Sequence, residues 1–130
     1  MPIKYAPQNG SILICDFDGM APEMVKRRPV VVVSSVSEGL CIVVPLSSSP
    51  PIHVQPWNLK IVLQQPLPKP YISMTCWAKC DMVQSVSFER LYLFRGEKEN
   101  GKRQYISRSV SDEMLAAIRS GIWQAVSAIR

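Results

Sequence analysis

Apolar and β-branched residues gather into short runs along the first third of the chain. Ile12 to Phe17, Val30 to Val33 and Leu40 to Val44 are set off by Asn9-Gly10, Asp18-Gly19, Pro29, Glu38-Gly39 and Pro45, residues that favour turns. Runs of this length predict three strands and fall far short of a bilayer span. The Ser34 to Gly39 link is short, small and polar, so the second and third strands are predicted to form an antiparallel hairpin. Gly19 to Pro29 is too long for a simple hairpin and holds Glu23, Lys26, Arg27 and Arg28, which makes it the first place to look for function.

Seven of the 11 prolines lie between Pro45 and Pro70. Proline cannot donate to a sheet ladder, so only Trp57 to Leu63 is predicted as a strand there. Met74 to Val83 is the next extended stretch. Alternation puts Cys76, Ala78, Cys80 and Met82 on its inner face and Trp77, Lys79, Asp81 and Val83 on the other. Leu91 to Arg95 and Arg103 to Ser107 flank Asn100-Gly101, a dipeptide suited to a tight hairpin turn. The period then changes: Leu115, Ile118, Ile122, Val126 and Ile129 recur at helical spacing, with Ser111 placed to cap and Asp112 and Glu113 in the first turn. About six strands followed by one amphipathic helix predict a mainly β, α+β fold: a strongly bent sheet or small, partly closed barrel with the helix covering an open side.

Composition adds bounds. A chain of 130 residues, 47% apolar and 19% charged, suits one domain spanning 1–130 with a real core. Fifteen Lys and Arg against 10 Asp and Glu give a net charge of +5, compatible with an anionic partner. Cys15, Cys41, Cys76 and Cys80 form no C-x-x-C pair, and the N-terminus shows no export pattern, so a cytoplasmic protein with reduced thiols is expected.

Metal-ligand clusters, a phosphate-cradling glycine loop and a G-x-S-x-G turn are absent from the sequence, and no cofactor is expected. Asp16 and Asp18 lack a third ligand nearby and read as loop-positioning carboxylates. His53, the one histidine, sits in a proline-bounded loop and reads as an ordinary loop residue. Cys76 and Cys80 read as small core residues.

An ordered pattern nevertheless stands out. It runs from Gly10 to Asp18 (GSILICDFD), through Glu23 and then Arg28-Pro29 with the valine strand, to Val44-Pro45-Leu46-Ser47-Ser48-Ser49 and finally Lys79-Cys80-Asp81. This closely resembles the MazF/PemK toxins of toxin-antitoxin systems, whose motifs read G-[DE]-I-x-x-x-D-F-D-P, R-P and V-P-x-T-[ST] in that order, over most of the stretch from Gly10 to Val86. The resemblance implies an SH3-like, CcdB-like barrel, a homodimer, an acidic antitoxin partner, and metal-independent cleavage of single-stranded RNA (mRNA) by attack of the ribose 2′-hydroxyl. Arg28 matches the R-P arginine, a fork suited to phosphoryl oxygens. Ser47 falls on the threonine after V-P-x. Lys79 and Asp81 match an Arg-x-Asp pair used for proton transfer and, on one strand face, form an acid and base pair. Glu23 matches a loop acid that orders the arginine or binds RNA; Lys26 and Arg27 add phosphate contacts, and Trp77 is placed to stack a base.

The chain departs from that pattern in three places. Gly19 to Lys26 lacks the histidine of some PemK-type proteins, lysine replaces arginine at position 79, and the Pro50 to Pro70 stretch is unusual. Two rival readings follow. One is a CcdB-like toxin that binds gyrase, against which the Ala128-Ile129-Arg130 ending argues, since CcdB relies on Trp-Gly-Ile. The other is a catalytically silent RNA-binding relative.

Overall fold

The computed structural model describes residues 1–35 and 37–129. Among these, the strands in chain order are β1 (Ser11–Asp16), β2 (Arg27–Ser34), β3 (Leu40–Ser47), β4 (Asn58–Val62), β5 (Thr75–Lys79), β6 (Gln84–Ser87), β7 (Leu91–Tyr92), β8 (Phe94–Glu99), β9 (Lys102–Ile106) and β10 (Arg108–Ser109). One helix, α1 (Asp112–Ser127), follows. The main sheet is antiparallel with order β10-β1-β2-β3-β5-β4, while β8 and β9 form a separate two-stranded ribbon.

Two long strands each serve two partners along one edge. On β1, Ser11 and Ile12 pair with β10, whereas Ile14 and Cys15 pair with β7. On β3, Leu40 to Val43 pair with β6, whereas Leu46 and Ser47 pair with β5. A strand that passes from one partner to the next is where a sheet turns a corner. The bend leaves β1, β2 and β3 with core on both faces: Ile12, Ile14, Val31, Val44 and Leu46 on one side, and Leu13, Cys15, Val30, Val32 and Val43 on the other. Burial on both faces explains why these strands read as unbroken apolar runs rather than alternating ones.

The barrel expected from the sequence is not closed. Its free edges, β4 and β10, are bridged by Arg108, whose Nε donates to the Pro66 carbonyl at 3.0 Å, beside a cleft of about 840 Å³. β10 is only two residues long, and Pro66, Pro68 and Pro70 after β4 have no N–H with which to continue a ladder.

Other expectations meet corrections as well as support. The Asn100-Gly101 turn joins β8 to β9 with both residues at positive φ (51° and 77°), the geometry of a tight hairpin. Leu91 to Arg95 is not one strand: Leu91 and Tyr92 pair with β1, and the chain leaves that sheet at Leu93 to start the ribbon. In α1, Ser111 accepts the Met114 N–H at 3.1 Å and Leu115, Ile118 and Gly121 are buried. The predicted stripe fails at its end, because Val126 is 64% and Ile129 99% exposed. The helix packs on the turn at Cys80, on β4 and on β2.

Candidate active site

Strand register brings the sequence-predicted residues into a line. Cys15 lies opposite Arg28, Ser47 opposite Trp77, and Trp77 opposite Lys60. The β2·β3 pairs end at Val30 and Pro45, and Arg28 and Ser47 each lie two residues beyond that last pair, on its face of their own strands. Opposed residues of antiparallel strands point to the same face with Cβ atoms roughly 5 Å apart. Ser47 and Trp77, distant in sequence, are therefore neighbours, and Arg28 stands on the adjoining strand just past the last β2·β3 pair.

Arg28 is half-buried, and its Nε is buried without a hydrogen-bond acceptor among the described residues. Leaving such a donor unpaired costs about 1–3 kcal/mol, more for a charged group, so its retention calls for a reason. Ser47 is 8% exposed; its Oγ donates to the Ser49 carbonyl at 3.3 Å and accepts the Ser49 N–H at 3.2 Å, which fixes the hydroxyl at the start of a turn. Next to Arg28, the Cζ of Arg27 sits 4.6 Å from the centroid of the Tyr92 ring, a cation–π contact. Burial raises the Tyr71 hydroxyl pKa, and the positive charges of Arg27 and Arg28 oppose that rise, which places both guanidinium groups within electrostatic reach of it.

The Lys79 and Asp81 pair needs a correction. β5 ends at Lys79, and Asp81 stands not on the strand but on a 3-10 turn, Cys80–Met82, which the Val83 N–H closes onto the Cys80 carbonyl at 3.4 Å. The expected alternation ends with it, since Val83 packs against the core. The cause is α1: a Cβ built on Gly121 would lie 2.8 Å from Cys80 Sγ, so the buried thiol occupies that space and the chain turns beneath the helix. Lys79 and Asp81 nevertheless line one cavity of about 630 Å³ with Asn58, Met82 and Ala125. His53 lines it too. No local pattern marks His53, since only the fold of the Pro50 to Pro56 loop brings the imidazole there. Arg28 and Ser47 do not line this cavity; the link between the two groups is Trp77, two residues before Lys79 and on its face of β5.

The first long loop is tied to itself. The Glu23 carboxylate accepts the Met20 N–H at 3.0 Å, and the Glu23 N–H donates to the Met20 carbonyl at 2.8 Å. A Cβ on Gly19 would fall 2.5 Å from the Met24 carbonyl oxygen, so only glycine allows this crossing. Glu23 thus shapes the loop that delivers the exposed Lys26 and Arg27 to β2. The cysteines are buried, and among the described residues no cluster of three His, Cys, Asp or Glu forms a metal-holding group. No helix among them is long and apolar enough to cross a membrane.

Comparison with known proteins agrees with the fold. Residues 8–122 match the sequence family described as PemK-like, MazF-like toxin of type II toxin-antitoxin system. An uncharacterized protein of Haemophilus influenzae is 35% identical, with 94% of each chain covered. Among solved structures, MazF from Deinococcus radiodurans superposes with a TM-score of 0.66 at 16% identity, covering 96% of this chain and 100% of that one. An endoribonuclease in complex with its cognate antitoxin, from a mycobacterial species, gives 0.63 at 16% identity over 96% and 99%. The shared architecture is a mostly antiparallel sheet with one C-terminal helix.

Proposed function

We propose that this chain, which belongs to the PemK-like, MazF-like toxin family of type II toxin-antitoxin systems, is an endoribonuclease that cuts single-stranded RNA with its own side chains as the only catalysts. The observation that carries the reading is the buried, acceptor-free Nε of Arg28, which lies two residues past the last β2·β3 pair, as Ser47 does on the facing strand. A scissile phosphate supplies the missing acceptor. As the neighbouring 2′-oxygen bonds to phosphorus and the bond to the 5′-oxygen breaks, negative charge grows on the two non-bridging oxygens. The Arg28 fork and the Ser47 hydroxyl donate to those oxygens, and such preorganised donors contribute most where charge develops. In this scheme a strand that bridges the two groups brings its 2′-hydroxyl to Asp81, which takes the proton, and its departing 5′-oxygen to Lys79, which returns one, so the step balances. The products are a 2′,3′-cyclic phosphate and a 5′-hydroxyl. Trp77, between the two groups, stacks a base, and Lys26 and Arg27 contact flanking phosphates.

In the cell the cationic face is held by an acidic antitoxin, a partner supported by the antitoxin complex of the mycobacterial endoribonuclease, and the active form is a homodimer in the cytoplasm. Purified protein is expected to cut single-stranded RNA in EDTA and to leave gyrase supercoiling untouched. Arg28→Ala is expected to lower the cleavage rate by about a thousandfold. A requirement for added metal, or undiminished cutting by Arg28→Ala, rejects the mechanism.

A further inference from the structure

The β8–β9 ribbon stands apart from the main sheet and has two unlike faces. Phe94 lies opposite Ile106, with Phe94 fully buried, so this side turns to the core. The register pairs Arg95 with Tyr105 and Lys98 with Arg103, and places all four on the other side. These four are exposed, Tyr105 by 52%. An irregularity between Arg95 and Lys98 brings this about: the extra residue keeps both cations on the outer face although they are three apart. Gly96 sits in the irregularity, where a Cβ would meet Ile106 Cγ1 at 3.3 Å, and the Arg103 Nη1 donates to its carbonyl at 3.1 Å. The negative charge of Glu99 is instead paired in register with Lys102 on the opposite face.

The ribbon also begins beside Arg27. Its first residue, Phe94, meets the Tyr71 ring edge-on at 6.1 Å between centroids, and Tyr92, just before it, carries the Arg27 guanidinium. Three cations around a half-exposed aromatic ring form an arrangement that contacts phosphates and stacks a base without reading sequence.

We propose that the outer face of the β8–β9 ribbon, through Arg95, Lys98, Arg103 and Tyr105, is a second single-stranded RNA surface that grips the strand flanking the segment held at Arg28. It rests on the ribonuclease reading for its choice of ligand. An exposed ring among the cations favours RNA over an acidic peptide, to which a stacking platform gives nothing.

The test uses the whole protein and fully 2′-O-methylated RNA, which lacks the attacking hydroxyl, so binding is read apart from cleavage. Affinity is measured against salt for a tetranucleotide and for a strand several times longer. Removing one cation that pairs with a phosphate makes the salt slope shallower by about 0.7 for single strands. On the long strand, Lys98→Gln is expected to reduce the slope by about 0.7 and Arg95→Gln/Lys98→Gln by about 1.4. Lys102→Gln, the same charge change on the other face, keeps the wild-type slope. Tyr105→Ala is expected to weaken long-strand binding by about tenfold, in the range of one stacked base. Equal slopes for Lys98→Gln and Lys102→Gln overturn the proposal, as does weaker poly-glutamate binding by the outer-face variants with RNA affinity intact. Failure of the protein to cut unmodified RNA rejects the ribonuclease reading and leaves these slopes to be judged separately.

Discussion

Gly121 of α1 rests directly on Cys80: a Cβ at the glycine would come within 2.8 Å of the buried sulfur and 3.4 Å of the cysteine Cβ. The turn that carries Asp81 is thus pressed into place by the helix. Gly121→Ala gains about 1 kcal/mol of helix propensity, but it forces an overpacked contact that costs about 1–3 kcal/mol. The variant is expected to be less stable than wild type in urea and less active. Adding Cys80→Ala should recover stability relative to the single change, and a double-mutant cycle measures that coupling.

Among the described residues Ser47 is the one polar residue in the buried set, and its hydroxyl is already oriented by Ser49. Ser47→Ala should keep the fold and lower kcat by about 10²- to 10³-fold, the range for losing one donor to a developing anion. Ser47→Thr keeps the hydroxyl and is expected to cut RNA far faster than the alanine variant. Equal rates for the two would remove Ser47 from the chemistry.

Burial raises the thiol pKa of Cys15 to about 12 from an ordinary 9.0, and those of Cys76 and Cys80 to about 11. For Cys15 the Arg90 charge opposes that rise and Asp16 adds to it. The native state therefore holds these protons after the unfolded chain has released them. The stability they represent is complete below about pH 9 and drains away between pH 9 and 12. In unfolding experiments across that window, wild type should lose stability more steeply with pH than Cys15→Ser. The thiols should also react with a thiol reagent only as fast as the protein opens.

Ile72 holds φ at 34°, a left-handed conformation that penalises a β-branched side chain, and it is 67% exposed, so little packing compensates. Ile72→Asn, which tolerates that region, is expected to raise the unfolding free energy by about 0.5–1 kcal/mol in denaturant titration. A destabilised variant would mean that the isoleucine makes a contact the strain supports.

Much of this layout was legible before any coordinates. The doubly buried strands declared themselves as unbroken apolar runs, Asn100-Gly101 marked its turn, and Ser111 marked the helix start. The site candidates are legible from motif order, and strand register adds that Ser47 lies opposite Trp77. What escaped was decided by tertiary contact. Gln84–Ser87 and Arg108–Ser109 are short and polar, and become strands only because β3 and β1 offer them an edge. Asp81 left its strand because Cys80 meets a helix forty residues later. His53 reached the Lys79 cavity through a loop whose prolines signal irregularity but not direction. Val126 and Ile129 kept a helical rhythm past the end of the surface that could use it.

The change of partners along β3 has a mechanical consequence. Leu40 to Val43 belong with β6, Leu46 and Ser47 with β5, and the sheet creases at the two residues between, Val44 and Pro45. Ser47 hangs just beyond that crease while Arg28 arrives from the uncreased strand alongside. A protein partner or a bound strand that grips both halves of the sheet would therefore load the fold line next to Ser47 without touching its hydroxyl.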